Sequence, residues 1–136
     1  FYNHNFFNVD GDPVGPNYSF GFPFEPKAKN LRGKFEDLVE LKGKEFRFKE
    51  KVPTGEFVMA ELTGYEATKG LPQFTMSHAP SGVKVKVGMS YQYAKFNVWS
   101  IRTTICPEPY MAIDLKPGEE MKWSISYTFT HEGSKK

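Results

Sequence analysis

Apolar and polar residues alternate through the stretch Val83-Lys84-Val85-Lys86-Val87-Gly88-Met89-Ser90-Tyr91-Gln92-Tyr93, with Gly88 as the one small exception. Side chains of a β-strand point to opposite faces with a period of two, so this pattern is typical of a strand with one buried and one solvated face. Half-exposed strands of this kind belong to antiparallel sheets. The two lysines are therefore interpreted as part of the solvated face rather than as an anion site.

The same alternation recurs along the rest of the chain. Besides 83–93, the predicted strands cover residues 18–24, 46–52, 57–65, 74–77, 96–101, 111–115 and 121–129. Turn signals such as Pro53-Thr54-Gly55 separate them, and residues 35–42 could form one or two helical turns, although Val39 and the flanking glycines leave this ambiguous. We predict an all-β fold, an antiparallel β-sandwich that occupies residues 1–136 as a single domain.

Composition limits the possible partners of the chain and says little about its compartment. The chain has 136 residues with 18 Lys+Arg and 16 Asp+Glu, a formal net charge of +2, which argues against a nucleic-acid partner. No apolar run approaches the roughly 20 residues that cross a bilayer, which argues against a membrane partner. Cys106 is the only cysteine, so the chain forms no internal disulfide and the compartment stays open, with the cytoplasm slightly favoured.

Metal and nucleotide chemistry find little support in the sequence. His4, His78 and His131 are far apart and lack the cysteine or paired carboxylate neighbours of a zinc site, so we predict no metal. Asp10-Gly11-Asp12 fits a turn better than the start of a calcium loop. The chain has no phosphate-binding glycine motif and no nucleophile-elbow motif.

Two segments are unusual for strands or turns. In the first, His4 stands between two asparagines and is followed by two phenylalanines; amides can orient an imidazole, and aromatic rings can stack on a sugar or exclude water. In the second, Glu108 stands between two prolines that hold the backbone extended and preorganise the carboxylate. The alternatives are a polar loop that leads into a core strand, and a strand end with a solvated glutamate.

Taken together, the two segments resemble the aldose 1-epimerase, or galactose mutarotase, superfamily. Asn3-His4-Asn5-Phe6-Phe7-Asn8 is similar to the element that carries the general-acid histidine of that family. Cys106-Pro107-Glu108-Pro109-Tyr110, followed by Pro117-Gly118-Glu119 and a final aromatic strand, is similar to the element with its general-base glutamate. The resemblance is anchored at the two ends of the chain. It implies that the chain is the C-terminal half of a mutarotase-like supersandwich.

The resemblance also implies an activity that needs no cofactor, the interconversion of the α and β anomers of an aldohexose such as glucose or galactose. Glu108 is the expected base at the C1 hydroxyl, and His4 is the expected acid at the ring oxygen. Arg102 either donates hydrogen bonds to sugar hydroxyls or pairs with Glu108. The candidate substrate-binding residues are Asn3, Phe6, Trp99, Arg102 and Tyr110.

Departures from the family pattern leave other interpretations open. Mutarotases are longer than this chain, and the arginine and second histidine of their N-terminal half have no counterpart here. The chain begins at Phe1 without an initiator methionine, so we expect a processed or truncated protein that meets a missing N-terminal half or a second copy of itself. The alternatives are a non-catalytic carbohydrate-binding β-sandwich module, which would tolerate Glu108→Gln, and a structural or assembly domain.

Overall fold

The computed structural model describes residues 1–133, and two antiparallel sheets face each other in it. The prediction of an all-β antiparallel sandwich is confirmed. Within the described residues, the strands are β1 (Tyr18–Gly21), β2 (Lys27–Gly33), β3 (Val39–Lys42), β4 (Glu45–Phe48), β5 (Val58–Thr63), β6 (Gln73–His78), β7 (Val83–Met89), β8 (Lys95–Ile101), β9 (Thr104–Tyr110) and β10 (Ile125–His131). A four-residue helix, α1 (Phe35–Leu38), and a 3₁₀ turn at Tyr65–Ala67 complete them. In residues 1–133 no helix has the length and apolar character that a bilayer crossing requires.

The strands divide unequally between the sheets. One sheet has six strands in the order β10-β7-β6-β1-β4-β3, and the other has four in the order β2-β5-β8-β9. Residues 1–8, here called the N-terminal segment, run antiparallel to the outer edge of β9 through bridges that join Tyr2 to Tyr110 and Phe7 to Ile105. The N-terminal segment therefore extends the four-stranded sheet by one irregular strand.

Aromatic side chains fill the space between the two sheets. Phe74 on β6 and Phe96 on β8 meet edge to face with ring centroids 5.5 Å apart, and Phe22 packs on Phe96 at 5.8 Å. Edge-to-face contact is a preferred arrangement of aromatic pairs. Each phenylalanine buried here contributes about 1.5–3 kcal/mol relative to leaving it exposed. The apolar members of the alternating pattern are thus the residues that join the sheets.

Several predicted strands have different bounds in the structure. β7 ends at Met89, although Tyr91 and Tyr93 beyond it stay buried, because the loop that follows also packs on the core. The predicted strand at 111–115 is wrong: residues 112–124 carry no strand and are exposed. The last strand begins at Ile125 rather than at residue 121.

Three strands were not predicted. Six of the seven residues of β2 are exposed, so this strand has no buried face to produce an alternating pattern. The ambiguous residues 35–42 form a single helical turn, α1, followed by β3, a strand that the sequence does not predict. β9 contains two prolines, which normally exclude a central strand.

Candidate active site

The prolines of β9 determine how the N-terminal segment pairs with it. Pro107 and Pro109 have no backbone N–H and offer only carbonyl oxygens to a neighbouring strand. The backbone N–H of Asn3 donates to the Pro109 carbonyl at 3.0 Å, and the side-chain amide of Asn5 donates to the Pro107 carbonyl at 3.0 Å. The pairing therefore consists of isolated bridges and a side-chain bond instead of a continuous ladder.

This register sets His4 opposite Glu108. The residue pairs on either side, Tyr2 with Tyr110 and Phe7 with Ile105, are bridged, and His4 lies between them. Nε2 of His4 is 2.9 Å from Oε1 of Glu108. The structure thus brings together the two residues that the sequence singled out, from opposite ends of the chain. We call His4 and Glu108 the dyad.

The Glu108 carboxylate is not solvated. Its side chain is 8% exposed, against 30% for His4. Burial raises the pKa of Glu108, and the smaller opposing effects of His4 and Lys95, which lower the pKa, do not cancel it. A carboxylate with a raised pKa is a stronger proton acceptor than a solvated one, which suits a general base.

Aromatic rings surround the His4 imidazole. Phe6 stacks on it with centroids 4.3 Å apart, and Trp99 meets it edge-on at 6.4 Å. Phe6 is 69% exposed and Trp99 is half-buried, and neither belongs to the core. The dyad therefore lies among rings that a ligand can reach.

The asparagines that flank His4 do not contact its imidazole. Oδ1 of Asn5 accepts hydrogen bonds from the Asn3 amide at 2.9 Å and from the Tyr127 hydroxyl at 2.6 Å. Nδ1 of His4 is buried with no hydrogen-bond partner among residues 1–133. The expectation that the amides orient the ring directly is wrong, because neighbours in an extended segment point to the opposite side. They anchor the N-terminal segment instead, and Asn3 lies away from the dyad.

An open groove of about 640 Å³ continues the outer face of the four-stranded sheet on the other side of Trp99. Met59 and Ile101 supply apolar lining, and Arg32, Glu56 and Arg102 supply charge. Nη1 of Arg102 donates to the Val52 carbonyl at 3.4 Å, and the described ion pairs include none between Arg102 and Glu108. Of the two roles considered for Arg102, pairing with Glu108 is absent from this structure.

Tyr110 closes the opposite side of the dyad. Its ring stacks on Tyr2 with centroids 4.6 Å apart, and its hydroxyl accepts a hydrogen bond from the Asn97 amide at 3.5 Å. Asn97 is buried and lies opposite Glu108 on β8. Sequence reasoning missed Asn97, although a single amide within the apolar run Phe96-Asn97-Val98 is a visible signal.

Cys106 and His78, two other buried titratable side chains, take no part in the dyad. Burial raises the pKa of the Cys106 thiol to about 11, so it stays protonated and unreactive at neutral pH. Residues 1–133 contain no cluster of three or more histidine, cysteine, aspartate or glutamate side chains that could hold a metal ion. His78, the buried histidine, bonds to Ser81 and Asp12 and lies outside the dyad.

Comparison with known protein families, with curated proteins and with solved structures finds no match to this chain. Function is therefore inferred from the residues and from the geometry of the dyad and its surroundings.

Proposed function

We propose that the chain is an aldose 1-epimerase, or mutarotase, that interconverts the α and β anomers of an aldohexose such as glucose or galactose. One observation carries the proposal: the 2.9 Å contact between Nε2 of His4 and Oε1 of Glu108 on an accessible aromatic face. A buried carboxylate in contact with an imidazole supplies the base and the acid that anomer exchange requires.

The reaction moves protons and rotates one bond. Glu108 takes the proton of the C1 hydroxyl while protonated His4 gives a proton to the ring oxygen, and the bond between C1 and the ring oxygen breaks. The open-chain aldehyde turns about the C1–C2 bond. Ring closure on the other face then returns a proton from Glu108 to the C1 oxygen and a proton from the C5 hydroxyl to His4. Each proton transferred during ring opening is returned during ring closure, so the reaction needs no oxidant or reductant.

The geometry of the dyad suits this reaction. The two reacting oxygens of a pyranose are bonded to the same carbon, so the base and the acid must lie close to each other. A general base works at about 2.6–3.2 Å from the atom whose proton it takes, so the two side chains must separate to admit both oxygens between them. General acid–base catalysis of this kind contributes roughly 10²- to 10⁴-fold to the rate.

The surroundings of the dyad offer a binding surface for a sugar. Trp99 and Phe6 present ring faces on which the C–H face of a pyranose can stack. Asn97 and Tyr110 add hydrogen-bonding groups beside Glu108. These residues support the aldohexose as the substrate class.

Anomer exchange tests the proposal. The chain is added to freshly dissolved α-glucose and α-galactose, and the approach to equilibrium is followed by NMR against an equal amount of heat-denatured chain. We expect a rate constant that rises in proportion to the concentration of folded protein. No acceleration with either sugar would contradict the proposal.

A carbohydrate-binding module is the second candidate, and the groove beside Trp99 favours it, because the groove continues past the dyad. Such a module would bind sugar without accelerating exchange. The indole resonances of Trp99 separate the two functions: a shift on addition of sugar without acceleration supports the module, and no shift contradicts both.

A further inference from the structure

Three side chains form a closed hydrogen-bond cluster beside the dyad. The Asn3 amide donates to the Tyr127 hydroxyl at 2.8 Å and to Oδ1 of Asn5 at 2.9 Å. The Tyr127 hydroxyl donates to the same Oδ1 at 2.6 Å. We call Asn3, Asn5 and Tyr127 the amide cluster. Asn3 and Asn5 are the residues on either side of His4, so a single hydroxyl contacts both neighbours of the proposed acid.

Tyr127 belongs to the other sheet. It lies on β10 at the edge of the six-stranded sheet, whereas the N-terminal segment lies at the edge of the four-stranded sheet. Tyr127 is opposite Val87, which is buried in the core, so its ring is on the inner face of its sheet. Its hydroxyl reaches Asn5, whose side chain is also buried. The amide cluster therefore links the two sheets next to the dyad.

The N-terminal segment depends on such bonds because its pairing with β9 is sparse. Pro107 and Pro109 offer no N–H, so the segment is held around His4 by the Asn3 backbone and by Nδ2 of Asn5. The Tyr127 hydroxyl binds the other end of the Asn5 amide and so fixes the direction in which Nδ2 points. Without the hydroxyl, Asn5 keeps Asn3 as the donor to its Oδ1, and its bond to Pro107 is less constrained.

The position of the His4 imidazole depends on the backbone that carries it. Nδ1 is buried without a hydrogen-bond partner among residues 1–133, and Nε2 faces Oε1 of Glu108 at 2.9 Å. A histidine is commonly oriented by a hydrogen bond at its second ring nitrogen. Here the backbone of the N-terminal segment and the contacts with Phe6 and Trp99 take that role. A shift of the segment therefore changes the contact between His4 and Glu108.

We propose, resting on the proposed function, that Tyr127 is a positioning residue of the dyad: its hydroxyl, through Asn3 and Asn5, holds the N-terminal segment in the register that sets His4 against Glu108. The described bonds of the hydroxyl go to the two asparagines, so its effect on the reaction passes through His4. A misplacement of about 1 Å can cost roughly 10²-fold in rate, so one hydroxyl outside the dyad affects anomer exchange.

NMR of the protein without sugar tests the position of His4. Tyr127→Phe removes the hydroxyl and keeps the ring. Ser126→Ala is the matched control, because it removes a hydroxyl that bonds to the Gly88 carbonyl from the adjacent position of β10, on the opposite face. We expect the nuclear Overhauser contact between the His4 ring and the Trp99 indole to be lost in Tyr127→Phe and retained in Ser126→Ala. A contact that Tyr127→Phe retains in full would overturn the inference.

Rates of anomer exchange distinguish positioning from a general structural role. Tyr127→Phe should lower kcat by roughly 10- to 100-fold, and Ser126→Ala should leave it unchanged. In a His4→Gln background, Tyr127→Phe should change the remaining rate by less than about twofold, because the imidazole that it positions is absent. A structural role would lower the rate by the same factor in both backgrounds, and that result would overturn the inference.

The outcomes separate this inference from the proposed function. Acceleration of anomer exchange by the parent protein that Tyr127→Phe retains in full would overturn this inference alone. Loss of the contact between His4 and Trp99 in Tyr127→Phe, with a parent protein that accelerates exchange of neither glucose nor galactose, would overturn the mutarotase proposal and leave Tyr127 as the residue that positions His4.

Discussion

The carboxyl group of Glu108 is subject to two opposing effects. Removal from water disfavours its charge, and the positive charges of His4 and Lys95 favour it. The imidazole is nearly one-third exposed, so water screens part of its attraction, and burial has the larger effect. The folded protein therefore holds the Glu108 proton more tightly than the unfolded chain does.

The raised pKa of Glu108 in the folded protein predicts how the stability of the fold depends on pH. The contribution of Glu108 to stability is fully present below its ordinary pKa of 4.5 and is lost as pH rises through the raised pKa of the folded state. Glu108→Gln removes this loss, so the variant should gain stability relative to the parent protein between about pH 4 and pH 7. Urea unfolding at both pH values measures the change, with exposed Glu40→Gln as the control. A variant that loses relative stability over this interval would refute the assigned direction.

Asp12 should show the opposite dependence. Hydrogen bonds from Asn17 at 2.6 Å and from His78 at 3.1 Å lower its pKa. Its contribution to stability is present above the ordinary pKa of 3.8 and is lost as pH falls through the lowered value. Asp12→Asn should therefore be less stable than the parent at neutral pH, with a gap that closes on acidification. Thermal melts from neutral to acidic pH provide the measurement, and a gap independent of pH would contradict the argument.

Strand β2 lines one side of the groove through Arg32, and its last residue, Gly33, has a backbone conformation that favours glycine. Gly33 has a φ of +64°, and a Cβ there would stand 2.1 Å from the Phe57 carbonyl oxygen. Gly43 has a similar φ of +56° with open space around it. A side chain at either position takes up a left-handed conformation that costs about 1–2 kcal/mol, and only Gly33 adds a backbone clash.

Gly33→Ala should consequently lower the free energy of unfolding by more than Gly43→Ala does. The clash separates β2 from the segment that follows Gly55, so the Gly33 variant should also lose affinity for ligands of the groove. Urea unfolding of both variants, together with sugar titration, measures the two effects. Equal losses of stability in the two variants would show that β2 moves away from Phe57 with no loss of free energy, and would contradict the prediction.

Sequence could predict those strands in which one face is buried, because only these produce a period of two. β7 was predicted on this basis, and β2 was missed since both of its faces are exposed. The segment 111–115 has the pattern, but only Met111 is buried and residues 112–115 are exposed, so the segment has no buried face and forms no strand. Glu108 and His4 were predicted by residue type and context. The position of Asn97 beside Glu108 and the orientation of the Asn3 side chain away from His4 both depend on the strand register, which the sequence alone does not reveal.

At the scale of the whole molecule, the six-stranded sheet extends past the sheet that covers it. Phe129 and Tyr127 on β10 lie opposite Val85 and Val87 on β7, which are buried in the core. Phe129 nevertheless stays 70% exposed. β10 is also an edge strand, with no neighbouring strand on its outer side among residues 1–133.

This uncovered edge leads us to expect self-association of the chain, edge to edge through β10 of two copies. Phe129→Lys places a charge on the edge and should shift the equilibrium toward the monomer. Sedimentation velocity over a series of concentrations measures the effect, with exposed Leu71→Lys, on the loop before β6, as the control. A parent chain that stays monomeric at every concentration would exclude association through β10.

The central claim is that His4 and Glu108 exchange anomers by proton transfer. It is tested most directly by the rate of anomer exchange in the parent protein, Glu108→Gln and the control Glu40→Gln, each verified to be folded by circular dichroism. The account predicts that Glu108→Gln reduces the catalysed rate by roughly 10²- to 10⁴-fold while Glu40→Gln leaves it unchanged. His4→Gln should reduce it in the same way. A folded Glu108→Gln protein that exchanges anomers as fast as the parent would contradict the account.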